Sequence, residues 1–163
     1  MTIGQALLPE FDQEMATTRR VLERVPTDKG QWKPHPKSFS LGDLAQLVSF
    51  MPGWITLAVR QDFIDLASFE GYSQETTPAL LAAFDKNVRE AREALASVPD
   101  AAMSQPWSLR HGDRVLFTLP RGAAVRTDIN HLVHHRAQLG VYLRLLDIPV
   151  PAMYGPSADE RPW

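Results

Sequence analysis

The residues of this chain best suited to chemistry lie in one stretch, Asp128-Ile129-Asn130-His131-Leu132-Val133-His134-His135-Arg136-Ala137-Gln138-Leu139. At about 100° per residue on a helix, Asp128, His131, His135, Leu139, Tyr142 and Leu146 fall within roughly 60° of one direction. Leu132 lies at the edge of that arc, which is expected to face the interior. His131 and His135 are one turn apart, the spacing at which two imidazoles converge on one divalent cation. Asp128, a turn earlier, offers a carboxylate that either ligates, orients a ligand, or complements the positive end of a helix. His134 points about 100° away. The His pair alone fits both a metal site and a hydrogen-bonded core pair.

Positioning these side chains requires a scaffold, and four segments read as amphipathic helices. The first runs from about Ile3 to Val25, with Phe11, Met15, Thr18, Leu22 and Val25 on one face and Glu14, Arg19, Arg20 and Glu23 on the expected solvated face. Three prolines between Pro26 and Pro36 then favour an extended connection. Ser40 reads as an N-cap with Asp43 three residues on, starting a second helix from Leu41 to about Arg60, in which Pro52-Gly53 predicts a kink or break. In the third, Thr77 is expected to cap and Pro78 to open a helix carrying Leu81, Phe84, Val88, Ala91, Leu95 and Val98 inward, closed by Pro99. Residues 107–119 alternate around His111-Gly112-Asp113, predicting a short hairpin that must lie on the helices, because a lone hairpin is marginal. The fourth helix, about Ala123 to Leu146, carries the His pair. The tail from Ile148 holds four prolines and is expected to be an irregular strap.

The chain of 163 residues is long enough for one substantial core, and the whole of it reads as a single domain. The fold class expected is all-α, a four-helix bundle with long crossover connections plus the excursion at 107–119. A net charge of −2, a pI near 6.2 and scattered basic residues exclude the positive field that nucleic acid or anionic lipid requires, so neither is expected as a partner. Mean hydropathy is −0.21, and no apolar run approaches a membrane span. The absence of cysteine removes disulfides, thiolate ligands and a Cys nucleophile. Met1–Gln5 lack a basic leader region, which makes a cytoplasmic location the expectation. No P-loop, GxSxG elbow or Rossmann glycine pattern occurs.

Three motifs, in order, carry a resemblance: Trp32-Lys33-Pro34-His35-Pro36-Lys37-Ser38-Phe39-Ser40-Leu41-Gly42-Asp43-Leu44-Ala45, then His131 to Leu139, then Pro151-Ala152-Met153-Tyr154-Gly155-Pro156-Ser157-Ala158-Asp159-Glu160. Together they resemble the DinB family over nearly the whole chain. The resemblance implies a four-helix bundle, frequent homodimers, and a divalent-metal site of three histidines, one from the second helix and two from the HxxxH pair. It also implies kinship with metal-dependent transferases or isomerases that use low-molecular-weight thiols.

One departure bears directly on that site. The family pattern Leu-Gly-x-Leu-Ala-x-His reads here Leu41-Gly42-Asp43-Leu44-Ala45-Gln46-Leu47, so Leu47, a core residue without a lone pair, stands where a ligand is expected. The site is thereby reduced to His131 and His135, with a Ni or Zn ion bound weakly or not at all. Asp128 is the candidate additional ligand, His35 and His111 are on loops, and Gln46 points off the arc. Leu47, Gln138 and Tyr142 are the expected pocket residues, while Arg136 and Gln138 are expected at a pocket mouth or dimer surface. Trp32, Trp54, Trp107 and Trp163 are expected to pack. Three readings follow: a divalent-metal-dependent transferase or hydrolase-type enzyme possessing an incomplete site and a thiol co-substrate; a non-enzymatic, small-ligand-binding or dimerising bundle that has lost its metal; and a purely structural bundle with no ligand.

Overall fold

The computed structural model describes residues 1–161, so the packing expected of Trp163 lies outside the described residues. Its long helices begin where local chemistry dictates. Helix α1 (Ile3–Leu22) opens on a capping box between Thr2 and Gln5. Helix α2 (Leu41–Arg60) opens on Ser40, whose Oγ accepts from the Asp43 N–H at 3.1 Å. It runs through Pro52 as one helix, not two, and the Asn87 amide donates to the Ser49 carbonyl at 3.1 Å in the turn the proline disturbs. Helix α3 (Thr77–Ser97) is capped by Thr76, one residue before the expected cap; Thr77 instead donates to the Val25 carbonyl at 2.6 Å. A single turn, α4 (Asp100–Met103), precedes the last helix, α5 (Arg121–Leu145).

The chain is mostly helical, as expected, but it is not all-α. The hairpin is present as β2 (Pro106–His111) and β3 (Arg114–Pro120), with a register irregularity between Leu109 and Arg110. A third strand, β1 (Phe63–Asp65), pairs parallel with β2 and gives the sheet order β1-β2-β3. This strand answers the marginality of a lone hairpin: a third strand and the buried Trp107 hold the sheet to the helices.

Helix α2 packs on α3 and α5, and α1 packs on the same two helices from the other side. Between them lie Phe11, Leu44, Met51, Ile55, Phe84, Leu95, Ile129 and Leu132, all at most 1 % exposed. Arg121, at the start of α5, donates to the carbonyls of Ala58 (2.6 Å) and Val59 (3.1 Å) and pairs with Asp62 (2.7 Å). It thus satisfies the open carbonyl end of α2 and ties the start of α5 to it.

Two charged residues depart from the sequence reading. Glu14, expected on the solvated face of α1, is 6 % exposed, and Arg136, expected at a pocket mouth or dimer surface, is 1 % exposed. Arg136 donates to Glu14 Oε2 at 2.6 Å, to the Glu14 carbonyl at 3.2 Å and to Thr18 Oγ1 at 3.3 Å. The Tyr154 hydroxyl, from the C-terminal strap, accepts from Arg136 at 3.0 Å and donates to Glu14 Oε1 at 2.9 Å. Pairing is the physical reason both are inside: each charge is buried only because the other, with a hydroxyl bridge, replaces its water.

The strap follows the irregular path its prolines predict, with Val150 and Ala152 buried. Asp159 accepts from the Val150 N–H at 2.8 Å, and Glu160 accepts from the Ala152 N–H at 2.9 Å and pairs with Arg20 of α1 and, at 2.9 Å, with Arg24 just beyond it. The acids of the third motif therefore fold the strap back and fasten it to α1.

Glu14→Ala is expected to cost about 3–5 kcal/mol in urea unfolding, because it strands a buried guanidinium. Glu14→Leu combined with Arg136→Met is expected to recover most of that loss. Equal losses in the single and double variants would show that the pair does not act as a unit.

Candidate functional site

The helix face bearing the His pair is turned from the arc the spacing suggests. Val125, Ile129, Leu132, Arg136, Leu139 and Leu143 are fully enclosed, whereas His131 and Asp128 lie at the margin of that face. The rotation follows from the Arg136–Glu14 pair, which draws Arg136 inward and leaves His131 on the wall of a cavity.

That cavity has a volume of about 810 Å³ and lies between α2, α5 and the sheet. Trp54 comes from α2, Tyr72 and Phe69 from the segment before α3, Trp107 and Phe117 from β2 and β3, and Asp128 and His131 from α5. His131 stacks at a tilt on Trp54, with ring centroids 5.9 Å apart. Sequence reading had assigned Trp54 and Trp107 to packing; both also form cavity wall, a role that needs the β1 strand to close the chamber and carries no local signal.

The two histidines are brought together. Their Nε2 atoms are 2.9 Å apart. His135 Nδ1 lies 2.8 Å from Gln138 Oε1, and Gln138 Nε2 lies 3.1 Å from His134 Nε2. An amide oxygen only accepts, so His135 donates from Nδ1 and its Nε2 is an acceptor; His131 therefore donates from Nε2 and keeps its free lone pair at Nδ1. Burial holds both imidazoles below the usual histidine range; at His131 the neighbouring His135 and His134 add to this, and at His135 the Gln138 bond opposes it. Both rings are therefore neutral at pH 7.

Asp128 is placed on the cavity wall by the same helix. Its Oδ2 is buried with no hydrogen-bond partner among the described residues, and burial pushes its carboxyl up to about 7. The remaining candidates sit elsewhere. Leu47 is 3 % exposed in the core. Gln138 orients His135 rather than lining the cavity. Tyr142 packs edge-on against Trp32 at 5.5 Å and donates to the Phe39 carbonyl at 3.2 Å. Gln46 is buried and donates to Ser73 Oγ at 3.0 Å. His35 accepts from the Lys37 N–H at 3.1 Å, and His111 ends β2 at the exposed turn.

The donor set meets only part of what a metal requires. Two Nε2 atoms 2.9 Å apart can reach one cation, and Gln138 fixes His135 in the tautomer that presents Nε2. Among the described residues, however, no three His, Asp or Glu side chains gather as a metal-holding group. With Leu47 buried in the core, the residues present do not build the three-histidine site.

Asp128 generates a stability prediction. Its carboxyl titrates near 7 when folded and near the ordinary aspartate value, about 4, when unfolded. Between those values the folded state binds more protons, so stability falls as pH rises through that window and levels off above 7. Asp128→Asn is expected to stabilise the protein by about 2–3 kcal/mol at pH 8, a gain that shrinks towards zero by pH 4. Urea unfolding of both proteins at pH 4.5, 6 and 8 checks it; a pH-independent difference would refute the assignment.

Comparison with known proteins now bears on this geometry. A DinB-like protein from Bacillus subtilis (YjoA) superposes with a TM-score of 0.70 at 16 % identity, over 90 % of this chain and 96 % of that one. A DinB-like protein from Bacillus cereus superposes with a TM-score of 0.69 at 21 % identity, over 92 % and 97 %. At these identities the likeness is one of fold. No curated protein matches the chain. The sequence pattern of the DinB family matches residues 2–162, and the chain therefore belongs to the DinB family.

Proposed function

We propose that this chain is a small-molecule-binding member of its family, whose working site is the aromatic cavity between α2, α5 and the sheet. One observation carries the reading: about 810 Å³ of space lined chiefly by Trp54, Tyr72, Trp107 and other apolar side chains, with Asp128 and His131 as its polar end. Large apolar cavities with a few convergent polar groups and a perturbed carboxyl have the form of ligand sites. The volume lies in the range of sites that take drug-sized organic molecules. Neutral His131, its Nδ1 lone pair free, accepts a hydrogen bond from such a ligand or takes a proton from it.

A second reading, divalent-metal binding linked to thiol chemistry, is favoured by the 2.9 Å approach of the two Nε2 atoms. On this reading His131 and His135 hold a Ni or Zn ion weakly, for lack of a donor at residue 47.

N-Phenyl-1-naphthylamine, which fluoresces in apolar surroundings, is expected to bind once per chain. Leu119→Trp, which fills the cavity from β3, is expected to weaken it about tenfold with unchanged circular dichroism. Retention of full affinity would remove the cavity from consideration. The metal reading has a separate check. Leu47→His is expected to raise Ni²⁺ or Zn²⁺ affinity at least about tenfold by calorimetry, and His131→Ala to abolish the gain. No gain would mean that residue 47 does not face the pair.

A further inference from the structure

We propose that the cavity selects a cationic ligand, a hydrophobic primary amine whose ammonium group meets Asp128 while its ring or chain lies among Trp54, Tyr72 and Trp107. The inference rests on the cavity being the binding site and adds the charge of its occupant.

The first ground is the sign of the wall. Among the described residues that line it there are two carboxyls, Asp65 and Asp128, and no Lys or Arg. A ligand bearing a carboxylate or phosphate would enter without a counter-charge and against those two acids, a costly arrangement where water is scarce. The same argument disfavours thiol co-substrates that carry several carboxylates.

The second ground is the state of the two acids. Asp65 is already satisfied: its Oδ1 accepts from the Ala67 N–H at 2.9 Å and the Gly112 N–H at 2.8 Å, and these bonds keep it ionised. Asp128 is the opposite, with a buried oxygen that no donor reaches among the described residues. A buried acceptor without a donor is costly to the fold, and an ammonium group supplies both the hydrogen bonds and the charge.

The third ground is the aromatic content. Indole and phenol faces attract cations as well as apolar groups, so the walls that hold the ligand's hydrocarbon also stabilise its charge.

The test uses matched trios of arylalkyl compounds, each an amine, an alcohol and a carboxylate on the same phenyl, naphthyl or indolyl skeleton. They are titrated by calorimetry at pH 8 against the whole chain and against Asp128→Asn. The amine is expected to bind about tenfold or more tightly than its alcohol partner, and the carboxylate most weakly of the three. Asp128→Asn is expected to remove the amine's advantage over its alcohol partner, lowering the amine's affinity far more than the alcohol's, whereas Asp65→Asn is expected to keep most of that advantage. Binding of alcohol or carboxylate as tight as the amine, or an amine affinity indifferent to Asp128→Asn, overturns the inference while leaving the cavity as a binding site. Failure of every trio to bind at millimolar concentration, together with no uptake of the naphthylamine probe, overturns the binding-site reading itself.

Discussion

The ion pair between Glu14 and Arg136 is the contact on which the rest of this structure is arranged. It joins α1 to α5 through the interior, at positions where an apolar pair would pack at least as well energetically. What the pair adds is orientation. A guanidinium that must meet one carboxylate, one carbonyl, one threonine hydroxyl and one tyrosine hydroxyl admits a single rotation of α5 about its axis. That rotation puts Ile129, Leu132 and Leu139 in the core and turns Asp128 and His131 towards the sheet. The same pair reaches the strap through Tyr154, so the C-terminal motif is held to α1 and α5 by the network that orients the histidines.

Two kinds of buried polarity therefore coexist on one helix. Arg136 is bonded through both terminal guanidinium nitrogens, its Nε finding no partner among the described residues, and serves the fold. Asp128, two turns earlier, has a buried oxygen that finds no donor. The histidines lie between these extremes: they are bonded to one another and to Gln138, and His131 keeps its Nδ1 lone pair free.

What was legible in the sequence was local. Ser40 with Asp43, and His131 with His135, are separated by three or four residues, so helical geometry alone sets their relation. The hairpin was legible because alternation and a glycine turn are also local. The third strand was not: three residues, Phe63 to Asp65, carry no periodicity, and only pairing with distant β2 makes them a strand. Glu14 was misread for the same reason. On α1 it stands among charged neighbours, and its partner lies 122 residues away. Helical spacing alone centres the arc on α5 near Asp128 and the histidines and leaves Leu132 at its edge, whereas in the structure Leu132 lies at the centre of the buried face. Asp128 itself was visible as an acid on the right helix; its burial was not, since the cavity that buries it is made by Trp107 and the sheet.

Leu47 and Asp128 are best understood together. On an α-helix Asp128 and His131 are neighbours at i and i+3, their Cβ atoms about 5–6 Å apart. A dication held by His131 and His135 would lie near enough to stabilise the Asp128 carboxylate and draw its pKa down. Leu47, buried in the core, offers no lone pair, so residue 47 supplies no third donor beside the two histidines. Asp128 then stays uncompensated unless something else brings a positive charge.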